Sequence, residues 1–364
     1  MSGRARACID LDALQANLQH VRTSAPNRRV MAVIKADAYG HGWRRVAAAL
    51  AGADALAVAC VAEAVALREA GHHGPVVVLE GFTGAEELGA VLHHGLVPVL
   101  HHETQLRALE KAEPPRPLKI WFKLDSGMHR LGFPLDRVPE LAARARACPA
   151  LSWPPGWMTH FACADDRRSP ATELQRSFFE QALKDVPGER SLANSAAILG
   201  WPASHADWVR PGIMLYGASP FIGGVAAQDG LRPVMRLSTR LIAVNRHRKG
   251  DAIGYGASWV CPEDMPVGVA AIGYGDGYPR HAPSGTPVLV NGREAPLIGR
   301  VSMDMITLDL RRQPEARVGD EVVCWGDGLA VERVAREAGT ISYDLLCGIT
   351  PRVETVFRGR DGQG

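Results

Sequence analysis

The sequence has little excess charge and no block of like charge. Its 41 Lys and Arg residues against 39 Asp and Glu residues leave a formal net charge of +2 over 364 residues. Nucleic acids and anionic membranes bind basic patches, because these neutralise phosphate groups. We therefore predict no nucleic-acid or membrane partner, and we expect small molecules or further copies of the chain as partners.

Long apolar runs are also missing. The first residues, MSGRARACIDLDALQANL, carry Asp10 and Asp12 where a secretory signal needs an unbroken apolar stretch. No later segment is apolar over the length that a bilayer requires. We therefore expect a soluble, cytoplasmic protein.

Signatures of disulfides and metal sites are missing as well. The seven cysteines are odd in number, scattered, and include no CxxC pair, which argues against a disulfide framework and a thiolate zinc site. Three histidine doublets occur, but none has the spacing of a metal-binding helix. We predict reduced thiols and no metal.

What is present is a regular alternation of short apolar runs with longer amphipathic stretches. This pattern is typical of strand and helix units around a buried parallel sheet. The predicted strands are 30–35, 54–60, 76–80, 97–100, 119–125, 157–162, 190–194 and 206–210, and the predicted helices 43–53, 61–70, 86–92, 103–110, 138–147 and 172–186. Eight strands predict a closed (β/α)8 barrel, with an open doubly wound sheet as the alternative.

From residue 231 the pattern changes to alternating strands such as RLSTRLIAV (236–244) and TPVLV (286–290). The pair Asn291-Gly292 between apolar segments is a strong hairpin signal. We therefore predict two domains, a barrel over residues 1–230 and a smaller, mostly β domain over residues 231–364.

Polar side chains close several of the predicted barrel strands. In a (β/α)8 enzyme the carboxyl ends of the strands converge on one mouth, and the chemistry lies there. Each of these residues alone has an ordinary explanation as a solvated lysine, a core histidine or a structural ion-pair partner. Their convergence from five strands favours a shared site: Lys35, Asp125 with Arg130, His160, Asn194 with Ser195, and Arg210.

A lysine that faces a phosphate site suits a carbonyl cofactor held as a Schiff base. Ser195 and the backbone amides near Gly212 and Ile213 are candidates to bind the phosphate, since they follow the seventh and eighth strands. Pyridoxal phosphate meets these requirements. A class I aldolase also uses a lysine, but it normally carries that lysine later in the barrel and needs no β domain.

Eight blocks of the sequence, in order and spacing, resemble those of the alanine racemase family. They are AVIKADAYGHG (32–42), KLDSGMHRLGF (123–133), MTHFACAD (158–165), LANSAA (192–197), VRPGIMLYG (209–217), IGYGASW (253–259), IGYGDGY (272–278) and GRVSMDM (299–305). The resemblance covers most of the chain. It implies a pyridoxal-phosphate enzyme that interconverts L- and D-alanine and supplies D-alanine for peptidoglycan.

The resemblance also implies roles for individual residues. Lys35 is expected to hold the cofactor, and Arg210 to face its pyridine nitrogen. An arginine there disfavours protonation of the ring, so the carbanion is short-lived and racemisation is favoured over transamination. The residues expected at the phosphate are Tyr39, Ser195, Gly212, Ile213 and Tyr343.

Racemisation needs a proton donor or acceptor on each face of the cofactor. The resemblance implies that Lys35 serves one face and that Tyr255, from the second subunit of a homodimer, serves the other. A phenol is a poor base at neutral pH, so nearby positive charge must favour its ionised form. We expect His160 and Arg210 to supply that charge.

The remaining implied roles concern the substrate and the entrance. Arg130 is expected to bind the cofactor's phenolic oxygen or the substrate carboxylate, assisted by the backbone amide of Met303. Tyr274 of the partner chain is expected to narrow the entrance. Lys123 matches a lysine that often carries a carbamate in the family and would orient Arg130.

Three other functions remain open at this point. A barrel-type decarboxylase of basic amino acids shares the lysine, but Arg210 stands where it usually carries an acidic residue. A broader racemase of serine, lysine or arginine is often exported, and no export signal is present. A non-catalytic barrel that carries pyridoxal phosphate would need neither the β domain nor Tyr255.

Overall fold

The computed structural model describes residues 4–359. The strands are β1 (Arg6–Asp10), β2 (Arg29–Val33), β3 (Ala55–Val58), β4 (Val76–Val78), β5 (Val97–Leu100), β6 (Trp121–Asp125), β7 (Phe133–Pro134), β8 (Gly156–Met158), β9 (Arg190–Asn194), β10 (Trp208–Arg210), β11 (Met235–His247), β12 (Ala252–Ile253), β13 (Trp259–Val260), β14 (Met265–Ala270), β15 (Pro287–Val290), β16 (Arg293–Ile298), β17 (Ile306–Asp309), β18 (Glu321–Trp325) and β19 (Glu354–Arg358). The helices are α1 (Leu11–Ser24), α2 (Lys35–Gly40), α3 (Trp43–Ala49), α4 (Val61–Glu69), α5 (Gly84–His94), α6 (Glu103–Glu110), α7 (Val138–Ala147), α8 (Ala171–Ala182), α9 (Ser195–Gly200), α10 (Val331–Glu337) and α11 (Ser342–Cys347).

Eight parallel strands close into a barrel in the order β5-β4-β3-β2-β10-β9-β8-β6, with β6 returning to β5. Strands β3 and β4 are apolar and buried along their length, because helices cover the outside of the barrel and side chains fill the inside. The predicted barrel is confirmed, and the doubly wound alternative is wrong.

Local chemistry sets the ends of several elements. The Asp10 carboxylate accepts a hydrogen bond from the Ala13 amide at 2.9 Å and caps α1. Gly95, with φ 59°, ends α5 in the left-handed conformation that glycine adopts without a Cβ clash. Several predicted elements are shorter in the structure; for example, the helix that begins at Trp43 ends at Ala49, β8 ends at Met158 and α8 ends at Ala182.

A second, mainly antiparallel sheet has the order β14-β17-β16-β15-β18-β11-β1-β19, and β14 also pairs with β11. The hairpin predicted at Asn291-Gly292 joins β15 and β16, and both turn residues have positive φ, 48° and 78°. This pattern is the type I′ turn that matches the twist of paired strands.

The first strand belongs to this second sheet. β1 runs antiparallel to β11 and parallel to β19, so residues 6–10 lie in a sheet otherwise built from residues after 234. The predicted division at residue 230 assigns these residues to the barrel segment. Strand pairing over such distances along the chain leaves no local pattern in sequence, which explains the difference.

Among the helices of residues 4–359, none is long and apolar enough to cross a membrane.

Candidate active site

A cavity of about 460 Å³ lies at the carboxyl ends of the barrel strands. It brings together the candidates of the barrel segment other than Asp125, and two residues of α11. Its lining side chains and backbone include Lys35, Tyr39, Glu80, Lys123, Arg130, His160, Asn194, Ser195, Arg210, Gly212, Ile213, Tyr343 and Cys347. Asp125, the remaining strand-end candidate, is instead engaged with the following loop, where it accepts hydrogen bonds from three backbone amides.

Lys35 begins a left-handed turn. Ala36, Asp37, Ala38 and Tyr39 have φ values of 52°, 52°, 54° and 55°. This conformation costs an L residue about 1–2 kcal/mol, because its Cβ approaches the following carbonyl oxygen. Surrounding contacts must hold such a turn in place. The turn brings both Lys35 and Tyr39 to the wall of the cavity.

A polar cradle lies beside this turn. The Ser195 hydroxyl, at the start of α9, accepts hydrogen bonds from the amides of Gly212 at 2.9 Å and Met214 at 3.4 Å. A Cβ on Gly212 would lie 2.5 Å from the Tyr39 hydroxyl oxygen, so only glycine leaves this space free. Hydroxyl and backbone donors around such a space suit a phosphate group.

Tyr343 reaches the cradle from the other end of the chain. Gly40 lacks the side chain that would collide with the Leu346 carbonyl oxygen, so α11 packs directly on the left-handed turn. The rings of Tyr39 and Tyr343 are 6.0 Å apart. Burial raises the pKa of both phenols. Both hydroxyls therefore keep their protons and are able to donate to an anion.

Arg210, at the end of β10, is fixed by buried acceptors. Its guanidinium donates to the Ser191 hydroxyl and the Thr159 carbonyl, both at 2.7 Å, and to Nδ1 of His160 at 3.2 Å. Burial lowers the pKa of Arg210 to about 10, which leaves it charged at neutral pH. The guanidinium is thus a fixed positive charge in the cavity wall.

The expectation that His160 supplies positive charge needs correction. Burial, and then the charges of Arg210 and Lys123, lower the pKa of His160 well below its ordinary value. Its imidazole is therefore neutral at pH 7, and it accepts a hydrogen bond from Arg210. His160 orients Arg210, while Arg210 carries the charge.

Lys123, in β6, lies among cations. Burial, followed by the charges of Arg210, Arg130 and Lys35, lowers the pKa of the Lys123 amine to about 8. Part of the amine is therefore neutral near physiological pH, the form in which a lysine is nucleophilic. The surrounding positive charge would stabilise an anion formed at this nitrogen.

The three residues expected from a partner chain lie elsewhere. Tyr255, Tyr274 and Met303 are not among the residues that line the cavity of their own chain, and 70%, 40% and 51% of each is exposed. Tyr274 and Met303 share one surface, since the Tyr274 amide donates to the Ser302 carbonyl and the Gly275 amide to the Met303 carbonyl.

Some residues of the site were not singled out from the sequence. Tyr216 stacks on Tyr39 with ring centroids 4.6 Å apart, and its hydroxyl donates to the Val33 carbonyl at 2.9 Å. It lies inside the block VRPGIMLYG, which could have pointed to it. Glu80 and Cys347 line the cavity without any motif that marks them.

The closed barrel, its strand-end lysine, the polar cradle beside it and the second sheet define a two-domain barrel enzyme. Comparison with known proteins specifies it further. The family model "alanine racemase, N-terminal domain" matches residues 9–220, and "alanine racemase, C-terminal domain" matches residues 234–357. The chain belongs to the alanine racemase family and is a pyridoxal-phosphate-dependent racemase.

Individual relatives agree over nearly full length. An alanine racemase from Nitrosococcus oceani is 58% identical over 349 residues, which span 96% of this chain and 98% of that protein. The crystal structure of biosynthetic alanine racemase from Pseudomonas aeruginosa has a TM-score of 0.95 at 45% identity, covering 98% of this chain and 100% of that one. The alanine racemase from Bartonella henselae with covalently bound pyridoxal phosphate has a TM-score of 0.90 at 26% identity, over 98% and 100% of the two chains.

Proposed function

We propose that the protein interconverts L- and D-alanine in the cytoplasm and supplies D-alanine for peptidoglycan. The observation that carries this proposal is the cavity in which Lys35, the fixed cation Arg210 and a phosphate cradle meet. The relatives support alanine as the substrate, because they are named alanine racemases and the match covers almost the whole length of both chains.

The residues present fit pyridoxal phosphate. The hydroxyls of Ser195, Tyr39 and Tyr343, with the amide of Gly212, would hold its phosphate, and Lys35 would hold its aldehyde carbon. When bound, the cofactor supplies an electron-withdrawing system that acidifies the hydrogen on the substrate's α-carbon. Arg210 would face the pyridine nitrogen and disfavour its protonation, which limits side reactions.

Two side chains would then exchange the α-hydrogen. Lys35 removes or returns the proton on one face of the substrate, and Tyr255 of a second copy does so on the other. The exposure of Tyr255 and its place outside its own cavity support a contribution to a neighbouring chain.

Arg130 would bind the substrate carboxylate, and a carbamate on Lys123 would orient it. The neutral Lys123 amine attacks the carbon of carbon dioxide, and one proton leaves to solvent. The product is an anion among Arg130, Arg210 and Lys35. Incubation with ¹³C-bicarbonate should give a carbamate carbon signal by NMR that is missing in Lys123→Met.

The reaction is tested by measuring kcat/KM for D-alanine, D-serine, D-lysine and D-arginine. We expect alanine to be the best substrate, and Lys35→Ala to lose both turnover and the visible absorbance of the lysine-linked cofactor. Faster turnover of lysine than of alanine would make the protein a broader-specificity racemase instead.

The shared site is tested by mixing subunits. Subunits are exchanged between inactive Lys35→Ala dimers and inactive Tyr255→Phe dimers, and turnover is measured. Random pairing puts half of the dimers in the mixed form with one intact site each, so about a quarter of the sites should recover. A mixture that exchanges subunits, shown by mass labels, yet stays inactive would place both bases in one chain.

A further inference from the structure

The left-handed turn at residues 36–39 needs support from outside itself. Inside the segment, the Ala38 amide donates to the Ile34 carbonyl at 2.9 Å, and the Trp43 amide donates to the Asp37 carboxylate at 2.9 Å. These bonds close the turn, and the Ile34 amide before it donates to the Ala57 carbonyl of β3 at 2.8 Å. The turn itself is joined to the end of that strand by a side chain of α4.

That side chain is Glu63. One carboxylate oxygen accepts the Ala36 amide at 2.7 Å, and the other accepts the Ala59 amide at 2.8 Å. Ala36 is the first left-handed residue after Lys35, and Ala59 follows β3. One carboxylate thus bridges the ends of two adjacent barrel strands through charge-assisted hydrogen bonds, which are stronger than neutral ones.

We propose that Glu63 is a positioning residue for the active site. By fixing the Ala36 amide against the end of β3, it holds the left-handed turn in the form that presents both Lys35 and Tyr39 to the cavity. Glu63 itself does not line that cavity. The inference rests on the proposed roles of Lys35 and Tyr39, but the bridge can be measured without either of them.

The chemistry of the carboxylate explains why a glutamate is required. Both bridging partners are N–H donors, so both atoms at the end of the side chain must be acceptors. A glutamine offers one acceptor and turns an NH₂ group toward the second donor. Glu63→Gln therefore keeps the size of the side chain and breaks one arm of the bridge.

The experiment compares Glu63→Gln with Glu69→Gln, an exposed glutamate of the same helix. In the cofactor-free protein, hydrogen exchange at one of the two bridged amides, that of Ala36 or that of Ala59, should become at least about tenfold faster in Glu63→Gln only, since a lost net bond of about 1.5 kcal/mol is about tenfold. The dissociation constant of pyridoxal phosphate should rise by a similar factor, and kcat should fall.

A rescue variant separates positioning from general stability. Glycine adopts positive φ without a Cβ penalty, so Ala36→Gly should recover cofactor affinity in the Glu63→Gln background. Gly89→Ala, on an exposed face of α5, raises helix propensity elsewhere and should not recover it. Equal recovery by both variants would overturn the proposal, because Glu63 would then act only through stability.

Two further outcomes are decisive. Unchanged amide exchange in Glu63→Gln would overturn the bridge itself. Faster exchange with unchanged cofactor affinity and kcat would show a bridge that does not position the site, which also overturns the proposal. If Lys35→Ala kept full turnover, the proposed function would fail, while the exchange data on the cofactor-free protein would still report on the bridge.

Discussion

Gly212 keeps the polar cradle open because it has no side chain. A Cβ there would lie 2.5 Å from the Tyr39 hydroxyl oxygen and 3.2 Å from its ring carbon Cζ. Neither group can retreat easily, because Tyr39 is stacked on the buried ring of Tyr216. The space between residue 212 and the Tyr39 hydroxyl therefore stays open only with glycine at this position.

Gly212→Ala should weaken binding of pyridoxal phosphate by about 1–3 kcal/mol, the usual cost of overpacking a dense site. Fluorescence titration of the cofactor-free protein measures the change. Tyr39→Phe removes the closest atom, so the double variant should lose less affinity than the two single losses combined. Strict additivity would show that the two residues do not collide.

Lys123 should make stability depend on pH in the alkaline range. Its pKa is about 8 in the folded protein and near 10.5 in an unfolded chain. Between these values the unfolded chain binds more protons, so the free energy of unfolding rises as pH increases from 8 to 10.5. Below pH 8 the buried ammonium carries its full desolvation penalty.

Urea unfolding at several pH values, in buffers free of carbon dioxide, measures this effect. Between pH 8 and 10.5, the unfolding free energy of the wild-type chain should rise relative to that of Lys123→Met. Parallel curves for the two proteins would mean that the amine is solvated in the native state.

Single residues at strand ends could be predicted because their signal is local. Lys35, Ser195 and Arg210 each end or follow an apolar run, and the barrel geometry brings such residues to one mouth. Tyr255 and Tyr274 rest on the family resemblance instead, since nothing in their own segments indicates a neighbouring chain. Glu63 gave no signal, because a glutamate inside a helix normally faces water.

At the scale of the elements, a glycine-to-alanine substitution should have opposite effects on stability in the hairpin of β15 and β16 and in helix α5. Gly292 has φ 78° and Gly89 is helical, and a Cβ at either position meets nothing within 4 Å. Gly292→Ala should destabilise by about 1–2 kcal/mol through left-handed strain alone. Gly89→Ala should stabilise by about 0.5–1 kcal/mol. Chemical denaturation measures both, and changes of the same sign would contradict this account.

The element that sequence could not predict is α2. Its four left-handed residues 36–39, ADAY, include neither glycine nor asparagine, the residues that normally mark positive φ. Its left-handed conformation depends on the hydrogen bond from the Ala36 amide to Glu63, which lies 27 positions away along the chain. The hairpin, in contrast, carries its own signal in Asn291-Gly292, and that prediction is confirmed.

At the scale of the whole molecule, β1 ties the two ends of the chain into one sheet. Ile9 is fully buried there, opposite Met235 of β11 and Phe357 of β19. Because its partners lie far away along the chain, no reading of local pattern could assign it. The barrel sheet and the second sheet are therefore not formed by two separate continuous segments of the chain.

A fragment of residues 231–364 should stay unfolded by circular dichroism and regain strand structure when the fragment of residues 1–230 is added. The reason is that β1 separates β11 from β19, so the fragment alone leaves both edges unpaired and exposes apolar side chains. A cooperative thermal transition of residues 231–364 alone would contradict this expectation.

The position of β1 also determines the order in which the strands can pair during synthesis. The barrel's last strand is complete at residue 210, so the barrel can close while the ribosome is still adding residues. One edge of β1 can then pair with β11, but the other edge stays unpaired until β19, which ends at residue 358, has been made. A chain that stops before residue 354 would leave this edge of the sheet open to strands of other molecules.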